Sequence, residues 1–244
     1  MRILIIRHGD PDYEKDSLTE KGWREAALLA ERISQMEVAA FYVSPLGRAR
    51  DTAGLTLEKM NRKAVVCDWL QEFTPLISRP DRGEERTSLV WDWLPEDWTA
   101  QEDYFRRDKW AQTLTMREGR VGEAYEQVIR SFDTLLSRHG YEREGEIYRA
   151  VRPNRDTIVF FCHFGLECVL LSRLLNVSPM ILWHHTCAAP ASVTTVYSEE
   201  RRQGKVCFRM SAFGDTSHFY PAGEEPSVSA RFCETFDCAD ERHD

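Results

Sequence analysis

The sequence predicts an α/β fold: a three-layer α/β/α sandwich with a mostly parallel central sheet and an antiparallel edge. Short apolar runs typical of buried strands alternate with segments of helical periodicity along most of the chain. Two further apolar runs flank the turn Arg202-Gln203-Gly204, which predicts a hairpin near the end of the fold. The alternation favours parallel strands with helices on both faces, and the hairpin supplies the antiparallel edge.

The elements of the first part follow from apolar spacing. Strands are predicted over residues 2–6, 38–43 and 64–69. Thr19 is a suitable N-cap for a helix over residues 19–36, and a second helix is predicted over residues 47–60. Arg48 would then lie in the first turn of a helix, where free backbone N–H groups also attract an anion.

The elements of the second part are separated from the first by an unusual segment. Residues 73–118 contain three prolines and four tryptophans with little regular periodicity, and they are too few to bury a core of their own. We therefore expect one domain over residues 1–244, with an insertion or cap at about 73–118 and a flexible tail from about 221. The remaining predicted elements are helices over residues 121–136 and 166–175, and strands over 157–162, 193–197 and 206–212.

Composition excludes several classes of function. The 244-residue chain has a net charge of −8, which disfavours general attraction to nucleic acid or to an anionic membrane. It has no apolar stretch near the roughly 20 residues that span a bilayer, and no secretory signal follows Met1. The seven cysteines lack C-x-x-C spacing, so neither a disulfide framework nor a zinc site is expected. These features favour a cytoplasmic protein with reduced thiols.

Three polar segments follow predicted strands and carry the candidate site. They are Arg7-His8-Gly9, the stretch from Ser44 to Ala53 that includes Arg48, and Cys162-His163-Phe164-Gly165. Neighbouring parallel strands end at one edge of a sheet, so Arg7, His8, Arg48 and His163 should meet there. Arginine guanidinium groups beside an imidazole can hold an anion against a nucleophile or a proton donor.

Together these segments resemble the histidine phosphatase superfamily, also called the phosphoglycerate mutase-like family. The resemblance rests on Arg-His-Gly at the start, on Ser-x-x-x-Arg-Ala-x-x-Thr-Ala from Ser44, and on the later His-x-Gly at His163. It continues through residues 18–22, the turn into the first helix, and through residues 214–218. It covers roughly residues 1–72 and 120–220 and implies the phosphoglycerate mutase-like fold and phosphoryl transfer.

The resemblance implies a role for each of these side chains. His8 would attack phosphorus with one neutral ring nitrogen and form a phosphohistidine, while its other nitrogen donates to a backbone carbonyl. Arg7 and Arg48 would bind the phosphoryl oxygens, and His163 would donate to another oxygen in the transition state. The substrate would be a small phosphate ester and the product inorganic phosphate, with no metal or other cofactor.

The general acid is expected at Glu72, after the third predicted strand, where the family places a glutamate. Its pKa would have to be raised for it to hold a proton near neutral pH. The chain departs from the family here, because Phe73-Thr74-Pro75-Leu76 replaces the common Gly-x-Trp-Glu-Gly of phosphatases and the Glu-Arg-His-Tyr-Gly of mutases. Asp81, Glu84 and Glu85 therefore compete with Glu72 for this role.

Other residues have structural readings that compete with functional ones. His184 and His185 are adjacent, and adjacent side chains do not converge on one metal ion, so a structural role is preferred. The four tryptophans of the insertion would form a small core or line the mouth of the site. His218 would either reach the rim of the site or end a strand.

Three functions fit these residues. The first is a metal-independent phosphomonoesterase that hydrolyses a small phosphorylated metabolite through phospho-His8. The second is a phosphomutase of the phosphoglycerate mutase type, and the absence of Glu-Arg-His-Tyr-Gly counts against it. The third is a non-catalytic phosphate-binding module, which would have no need to retain His8. The oligomeric state is left open by the sequence.

Overall fold

The computed structural model describes residues 1–79, 81, 87–229 and 231–243. Its strands are β1 (Arg2–Arg7), β2 (Pro11–Asp12), β3 (Ser17–Leu18), β4 (Ala40–Val43), β5 (Val65–Val66), β6 (Leu76–Ser78), β7 (Thr87–Leu89), β8 (Tyr141–Glu144), β9 (Ile147–Ala150), β10 (Thr157–Cys162), β11 (Val193–Arg202) and β12 (Lys205–Asp215). Its α-helices are α1 (Glu20–Ile33), α2 (Gly47–Lys59), α3 (Pro95–Thr99), α4 (Leu114–Glu118), α5 (Val121–Arg138), α6 (Phe164–Leu175) and α7 (Pro179–His185).

The central sheet has eight strands in the order β5-β4-β10-β1-β11-β12-β9-β8. The pairs β5-β4, β4-β10 and β10-β1 are parallel. The pairs β1-β11, β11-β12, β12-β9 and β9-β8 are antiparallel. Strands β1 and β10 lie at the centre and are almost wholly apolar, as parallel strands covered on both faces usually are. The predicted parallel sheet with an antiparallel edge is confirmed.

Helices cover both faces of this sheet. Alternate side chains of β1 point to opposite faces, so that Leu4 and Ile6 pack with Leu29 of α1 and Ala53 of α2. On the other face, Ile3 and Ile5 belong to a larger cluster with residues of α5 and α6, among them Phe132 and Val169. The two apolar clusters give the predicted three-layer sandwich.

The start of α1 confirms the capping role expected of Thr19. Its hydroxyl oxygen accepts the Gly22 N–H at 3.0 Å, and the hydroxyl donates to Asp10 Oδ2 at 2.7 Å. This cap ties the helix to the segment that follows β1, because Asp10 comes two residues after His8.

Some predicted elements differ from the structure. The strand expected over residues 64–69 is reduced to Val65–Val66, because a 3-10 helix over Asp68–Leu70 follows it closely. The hairpin of β8 and β9 was not predicted, since its strands are rich in charge. In this hairpin Arg149 Nη2 donates to Glu142 Oε2 at 2.5 Å across the ladder, which suits an exposed edge strand.

The insertion at 73–118 is built from short elements: the hairpin of β6 and β7, helices α3 and α4, and 3-10 helices over Glu102–Phe105 and Trp110–Gln112. Its buried residues Trp98, Tyr104 and Trp110 belong to the same apolar cluster as Phe132 of α5. The tryptophans therefore extend the main core instead of forming a separate one. We propose on this basis that residues 1–244 fold as a single domain.

The tail after residue 220 is tied to the start of the fold. Glu224 accepts hydrogen bonds from Lys21 at 2.9 Å and from Arg24 at 3.1 Å, and the Ser227 hydroxyl donates to Asp10. These contacts anchor the first part of the tail to α1, and the flexibility predicted for the tail stays a prediction.

Replacing Trp110 with alanine tests whether the insertion and the main core unfold together. Trp110 is 2% exposed and packs edge-on against Tyr125 and Trp183. We expect W110A to lower the free energy of unfolding by about 3–5 kcal/mol, in a single denaturant transition seen alike by far-UV circular dichroism and by tryptophan fluorescence. Trp23 is 40% exposed, so W23A should change stability by only about 0.5 kcal/mol. Two separate transitions in W110A would show that the insertion is an independent unit.

Candidate active site

The candidate site lies where the parallel strands end. Arg7 is the last residue of β1 and pairs with Cys162, the last residue of β10, so His8 and His163 follow side by side. Their ring centroids are 5.1 Å apart. Ser44 follows β4, the next parallel strand, and leads into α2, which carries Arg48 in its first turn. The structure thus brings together the four residues that the motifs predicted.

His8 is held in one orientation by its own loop. It is 2% exposed, and its Nδ1 lies 2.7 Å from the Gly9 carbonyl oxygen. Since a carbonyl can only accept, we assign the proton to Nδ1, which leaves Nε2 unprotonated in the neutral ring. Burial, reinforced by the charge of Arg7, lowers the pKa of His8 well below its usual value, against the raising effect of the Gly9 carbonyl.

Gly9 is required by the close approach of two backbone segments. A Cβ atom at this position would lie 2.8 Å from the Gly22 carbonyl oxygen at the start of α1. The Gly9 N–H donates to the Thr52 hydroxyl of α2 at 2.9 Å. The loop that orients His8 is therefore fixed between the first two helices.

The two arginines are held by partners that leave part of each guanidinium uncommitted. Arg7 is 6% exposed and donates from Nη1 to the Ala188 carbonyl at 2.6 Å, and Arg48 donates from Nη1 to Asp16 Oδ1 at 2.6 Å. Asp16 also accepts the Gly47 N–H at 2.6 Å, so it ties Arg48 to the start of α2. Among the described residues, the Nε atoms of both arginines have no hydrogen-bond partner.

His163 is fully buried and bonded through one ring nitrogen. Its Nε2 lies 2.8 Å from Ser44 Oγ, which itself accepts the Leu46 N–H at 3.3 Å. The Ser44 hydroxyl can therefore donate to Nε2, and we assign the proton of the neutral ring to Nδ1. Among the described residues Nδ1 has no partner. Burial, with the charges of His8, Arg48 and Arg7, lowers the pKa of His163 well below its usual value.

Glu72 lies in the wall of the same cavity as Arg7. Its Oε1 accepts the Phe73 N–H at 2.8 Å and the Leu166 N–H at 3.0 Å. Burial raises the pKa of Glu72, although those N–H groups and Arg7 oppose the shift. A Cβ atom at position 165 would lie 2.7 Å from Glu72 Oε1, so Gly165 is what allows the start of α6 to approach the carboxyl group.

The competing carboxylates are placed differently. Asp81 accepts two hydrogen bonds from Arg79, at 2.9 and 2.7 Å, and is not among the described residues that line the cavity. Glu84 and Glu85 lie outside the described residues. Of the candidates for the general acid that the structure describes, Glu72 is thus the one that lines the cavity together with Arg7.

A second buried carboxyl group, Glu167, was missed by the sequence reasoning. It lies one helical turn after His163 and is 1% exposed. Burial raises its pKa to about 7, against the Thr194 hydroxyl and the charge of Arg7, while Glu72 raises it further. The available signal was a glutamate in the first turn of a largely apolar helix, four residues after His163.

A cavity of about 810 Å³ opens beside Arg7 and Glu72. The insertion contributes Trp91, Trp93 and Trp98 to its wall, so three of the four tryptophans serve both core and cavity. The tail contributes further residues, among them Arg231 and Phe232.

The remaining histidines occupy ordinary structural contacts. His184 lines the cavity, donates from Nδ1–H to the Met180 carbonyl at 2.8 Å, and stacks on Trp98 at 5.1 Å between ring centroids. His218 does not reach the described wall of the cavity and lies 3.3 Å from Arg32. Within the described ranges, no group of three or more His, Cys, Asp or Glu side chains could hold a metal ion, and no helix is long and apolar enough to cross a membrane.

Comparison with known proteins identifies the family. Residues 3–210 match the sequence pattern of the histidine phosphatase superfamily, branch 1. The chain therefore belongs to the histidine phosphatase superfamily, and the resemblance of its motifs is confirmed.

Two relatives have names that state different activities. Phosphoserine phosphatase 1 of Hydrogenobacter thermophilus is 25% identical over 216 residues, which are 83% of this chain and 89% of the relative. The 2,3-bisphosphoglycerate-dependent phosphoglycerate mutase of Thermoplasma acidophilum is 33% identical over 95 residues, which are 35% of this chain and 48% of the relative. The match to the mutase thus spans about half of that protein.

Solved structures share the fold. Phosphoserine phosphatase of Entamoeba histolytica in complex with 3-phosphoglyceric acid has a TM-score of 0.56 at 17% identity, over 89% of this chain and 98% of that one. Mycobacterial glucosyl-3-phosphoglycerate phosphatase in complex with VO3 has a TM-score of 0.54 at 19% identity, over 87% of this chain and 98% of that one. Both likenesses confirm the phosphoglycerate mutase-like fold.

The raised pKa of Glu167 predicts a loss of stability with rising pH. Because the folded chain favours the protonated form, the contribution is intact below the pKa of the unfolded chain and is lost as pH rises through about 7. Glutamine cannot ionise, so E167Q should lack this loss. Between about pH 4.5 and pH 8, wild type should lose on the order of 3 kcal/mol of unfolding free energy relative to E167Q.

Denaturant titrations of the two proteins at several pH values measure this difference. Glu58 is an exposed glutamate on α2, and E58Q should follow wild type at every pH. A difference between E167Q and wild type that stays constant with pH would show that Glu167 does not change its protonation in this range.

Proposed function

We propose that this protein is a metal-independent phosphomonoesterase that hydrolyses a small phosphorylated compound through a phosphohistidine on His8. The observation that carries the proposal is the hydrogen bond from His8 Nδ1–H to the Gly9 carbonyl oxygen at 2.7 Å. It aims an unprotonated Nε2 away from its own loop, in a ring whose pKa is lowered by burial. A neutral and fixed imidazole is what a nucleophile for phosphorus requires.

The first step transfers the phosphoryl group to the protein. The lone pair of His8 Nε2 forms a bond to phosphorus while the ester P–O bond breaks. Arg7, Arg48 and the Nδ1–H of His163 hold the equatorial oxygens, whose charge develops in the transition state. Glu72, whose raised pKa favours the protonated form, gives its proton to the leaving alkoxide.

The second step returns the enzyme to its starting state. Glu72, now a carboxylate, takes a proton from water as the water oxygen attacks phosphorus. The P–N bond breaks, inorganic phosphate leaves, and Nε2 recovers its lone pair. Each role falls on a side chain of the chain itself, so the proposed cycle involves no cofactor. A cytoplasmic location stays a prediction from the sequence.

A phosphomutase is the second candidate, favoured by the match to the Thermoplasma acidophilum enzyme. A mutase would form the same phosphohistidine but would protect it from water and return the phosphoryl group to another hydroxyl. The relative that matches over more of the chain is a phosphatase. For this reason we place hydrolysis first.

Replacing His8 with alanine tests the nucleophile. After brief incubation with a phosphate-labelled aryl ester and an alkaline quench, wild type should carry an alkali-stable, acid-labile label and release phosphate with time. H8A should carry no label and show no turnover, yet still bind inorganic phosphate because both arginines remain. His139 lies outside the site, where its Nε2 is 2.6 Å from the Tyr42 hydroxyl. The control variant H139A should therefore be labelled normally. A mutase would hold the label and release little phosphate.

Replacing Glu72 with glutamine tests the general acid. E72Q should slow the hydrolysis of alkyl phosphates by about 100-fold or more, because alkoxide leaving groups need a proton. It should slow a nitrophenyl phosphate far less, since that phenolate leaves without one. Initial rates for both esters measure the contrast. Equal slowing of both would assign Glu72 a structural role.

A further inference from the structure

The turn that joins β2 to β3 contains a strained residue close to the candidate site. This β2–β3 turn comprises residues 13–16 and lies shortly after the loop that holds His8. Asp16 has a φ of 48°, in the left-handed region that aspartate and asparagine tolerate better than most residues but that still costs energy. Strain of this kind persists only where the surrounding contacts hold the residue in place, and it is common at functional sites.

Contacts with the start of α2 hold the turn. The backbone oxygen of Asp16 lies so close to Gly47 that an added Cβ would be 2.0 Å from it. The Gly47 N–H donates to Asp16 Oδ2 at 2.6 Å, and the Ser17 hydroxyl donates to Asp51 Oδ2 at 2.6 Å. The turn is therefore fixed to the first turn of the helix that carries Arg48.

The Asp16 carboxylate also holds the Arg48 side chain. Its Oδ1 accepts a hydrogen bond from Arg48 Nη1 at 2.6 Å, while Oδ2 accepts the N–H of the preceding residue, Gly47. One carboxylate thus bonds the helix backbone and the guanidinium together, which fixes the direction of the guanidinium relative to the start of α2. Hydrogen bonds between charged groups are stronger than neutral ones, so this contact helps to offset the strain at Asp16.

The same turn supplies an aromatic ring to Arg48. The Arg48 guanidinium lies over the ring of Tyr13, 5.4 Å from its centre, a distance at which the face of the ring attracts a cation. Tyr13 is 69% exposed and lines the cavity together with Arg7 and Glu72. The β2–β3 turn therefore contacts Arg48 through both a carboxylate and a ring of the cavity wall.

A fixed guanidinium matters for the proposed chemistry. A free arginine side chain would lose rotamer entropy when it bound a phosphoryl oxygen, and a misplacement of about 1 Å can cost about 100-fold in rate. Arg7 is held by a main-chain carbonyl, that of Ala188, whereas Arg48 is held by the side chain of Asp16. Nη1 is used in this bond, and Arg48 Nε has no partner among the described residues, so the guanidinium keeps N–H groups for an anion.

We propose that Asp16 is a positioning residue for phosphoryl transfer. By holding Arg48 Nη1 against the start of α2, it directs the remaining N–H groups of the guanidinium toward the phosphoryl oxygens. Asp16 acts through Arg48 and makes no contact with the substrate. This inference rests on the proposed function, which gives Arg48 its role in binding those oxygens.

Two substitutions separate the carboxylate from the backbone strain. Glycine adopts a positive φ readily but has no carboxylate, so D16G should lower kcat/KM for nitrophenyl phosphate about 10- to 100-fold. Asparagine tolerates the same φ and keeps one oxygen acceptor, so D16N should lose activity to a smaller extent. Both variants should match wild type if Asp16 serves only the conformation of the turn. D16N decides the question if D16G does not fold, which far-UV circular dichroism would show.

Asp12 offers a matched control in the same hairpin. Its carboxylate bonds Lys15 Nζ at 2.7 Å, within the hairpin itself. D12N removes a carboxylate charge as D16N does, yet it should keep the kcat/KM and the phosphate affinity of wild type. An equal loss in D12N and D16N would mean that the charge of the hairpin matters and would overturn the specific role of Asp16.

A double-mutant cycle tests whether Asp16 acts through Arg48. R48A lacks the guanidinium that Asp16 holds, so D16G should change the affinity for inorganic phosphate less than twofold in an R48A background. In wild type, D16G should weaken the same affinity about tenfold. Calorimetric titration with inorganic phosphate measures all four proteins without turnover, and Arg7 remains to bind the anion in each. An equal effect of D16G in both backgrounds would show that Asp16 does not act through Arg48.

The outcomes separate this inference from the function beneath it. Wild-type kcat/KM and phosphate affinity in D16G, together with labelling of His8 in wild type, would overturn the role of Asp16 and retain the phosphatase. Weaker phosphate binding in D16G, in a protein that shows neither label nor turnover, would retain the positioning of Arg48 and overturn the phosphatase. A wild-type protein that binds no phosphate and hydrolyses no ester would overturn both proposals.

Discussion

The parallel register of β1 and β10 is the constraint on which the candidate site depends. Arg7 lies opposite Cys162, and the next residue on each strand is a histidine. A slip of one residue would turn the side chains of a strand to the other face. Ile3 and Ile5 pack into one apolar cluster and Leu4 and Ile6 into the other, so a slip would disturb the fit of side chains in both. Core packing therefore sets the distance between His8 and His163.

Burial shifts the pKa values of the two site histidines and of Glu72 in opposite directions. Removal from water disfavours charge, so it lowers the pKa of His8 and His163 and raises that of Glu72. Burial thus favours neutral histidines and a protonated carboxyl group, which is the combination that the proposed first step needs. The same region also holds two arginines. Arg7 donates to the Ala188 carbonyl, and Arg48 donates to Asp16.

The sequence predicted the parts of the fold and site that depend on local pattern. Strand ends followed by Arg7-His8 and by His163, and a helix start at Arg48, are signals within a few residues, and the structure brings them together. Asp16 and Glu167 were missed because their importance comes from contacts across the fold. The length of β5 was overestimated. The run from Ala64 to Trp69 is apolar enough to predict a strand, yet a 3-10 helix begins at Asp68.

The cavity could not be predicted from the sequence because its wall is assembled from separate segments of the chain. Trp91 comes from the insertion, Phe164 from the start of α6, Trp183 from α7, and Arg231 from the tail. Each has an ordinary structural explanation when taken alone, and only the folded chain shows that they face one space. The strand ends carry the proposed catalytic residues, whereas the insertion and the tail supply much of the cavity wall beside them. Changes in the insertion or the tail would therefore alter this wall without disturbing the register of β1 and β10 that holds His8.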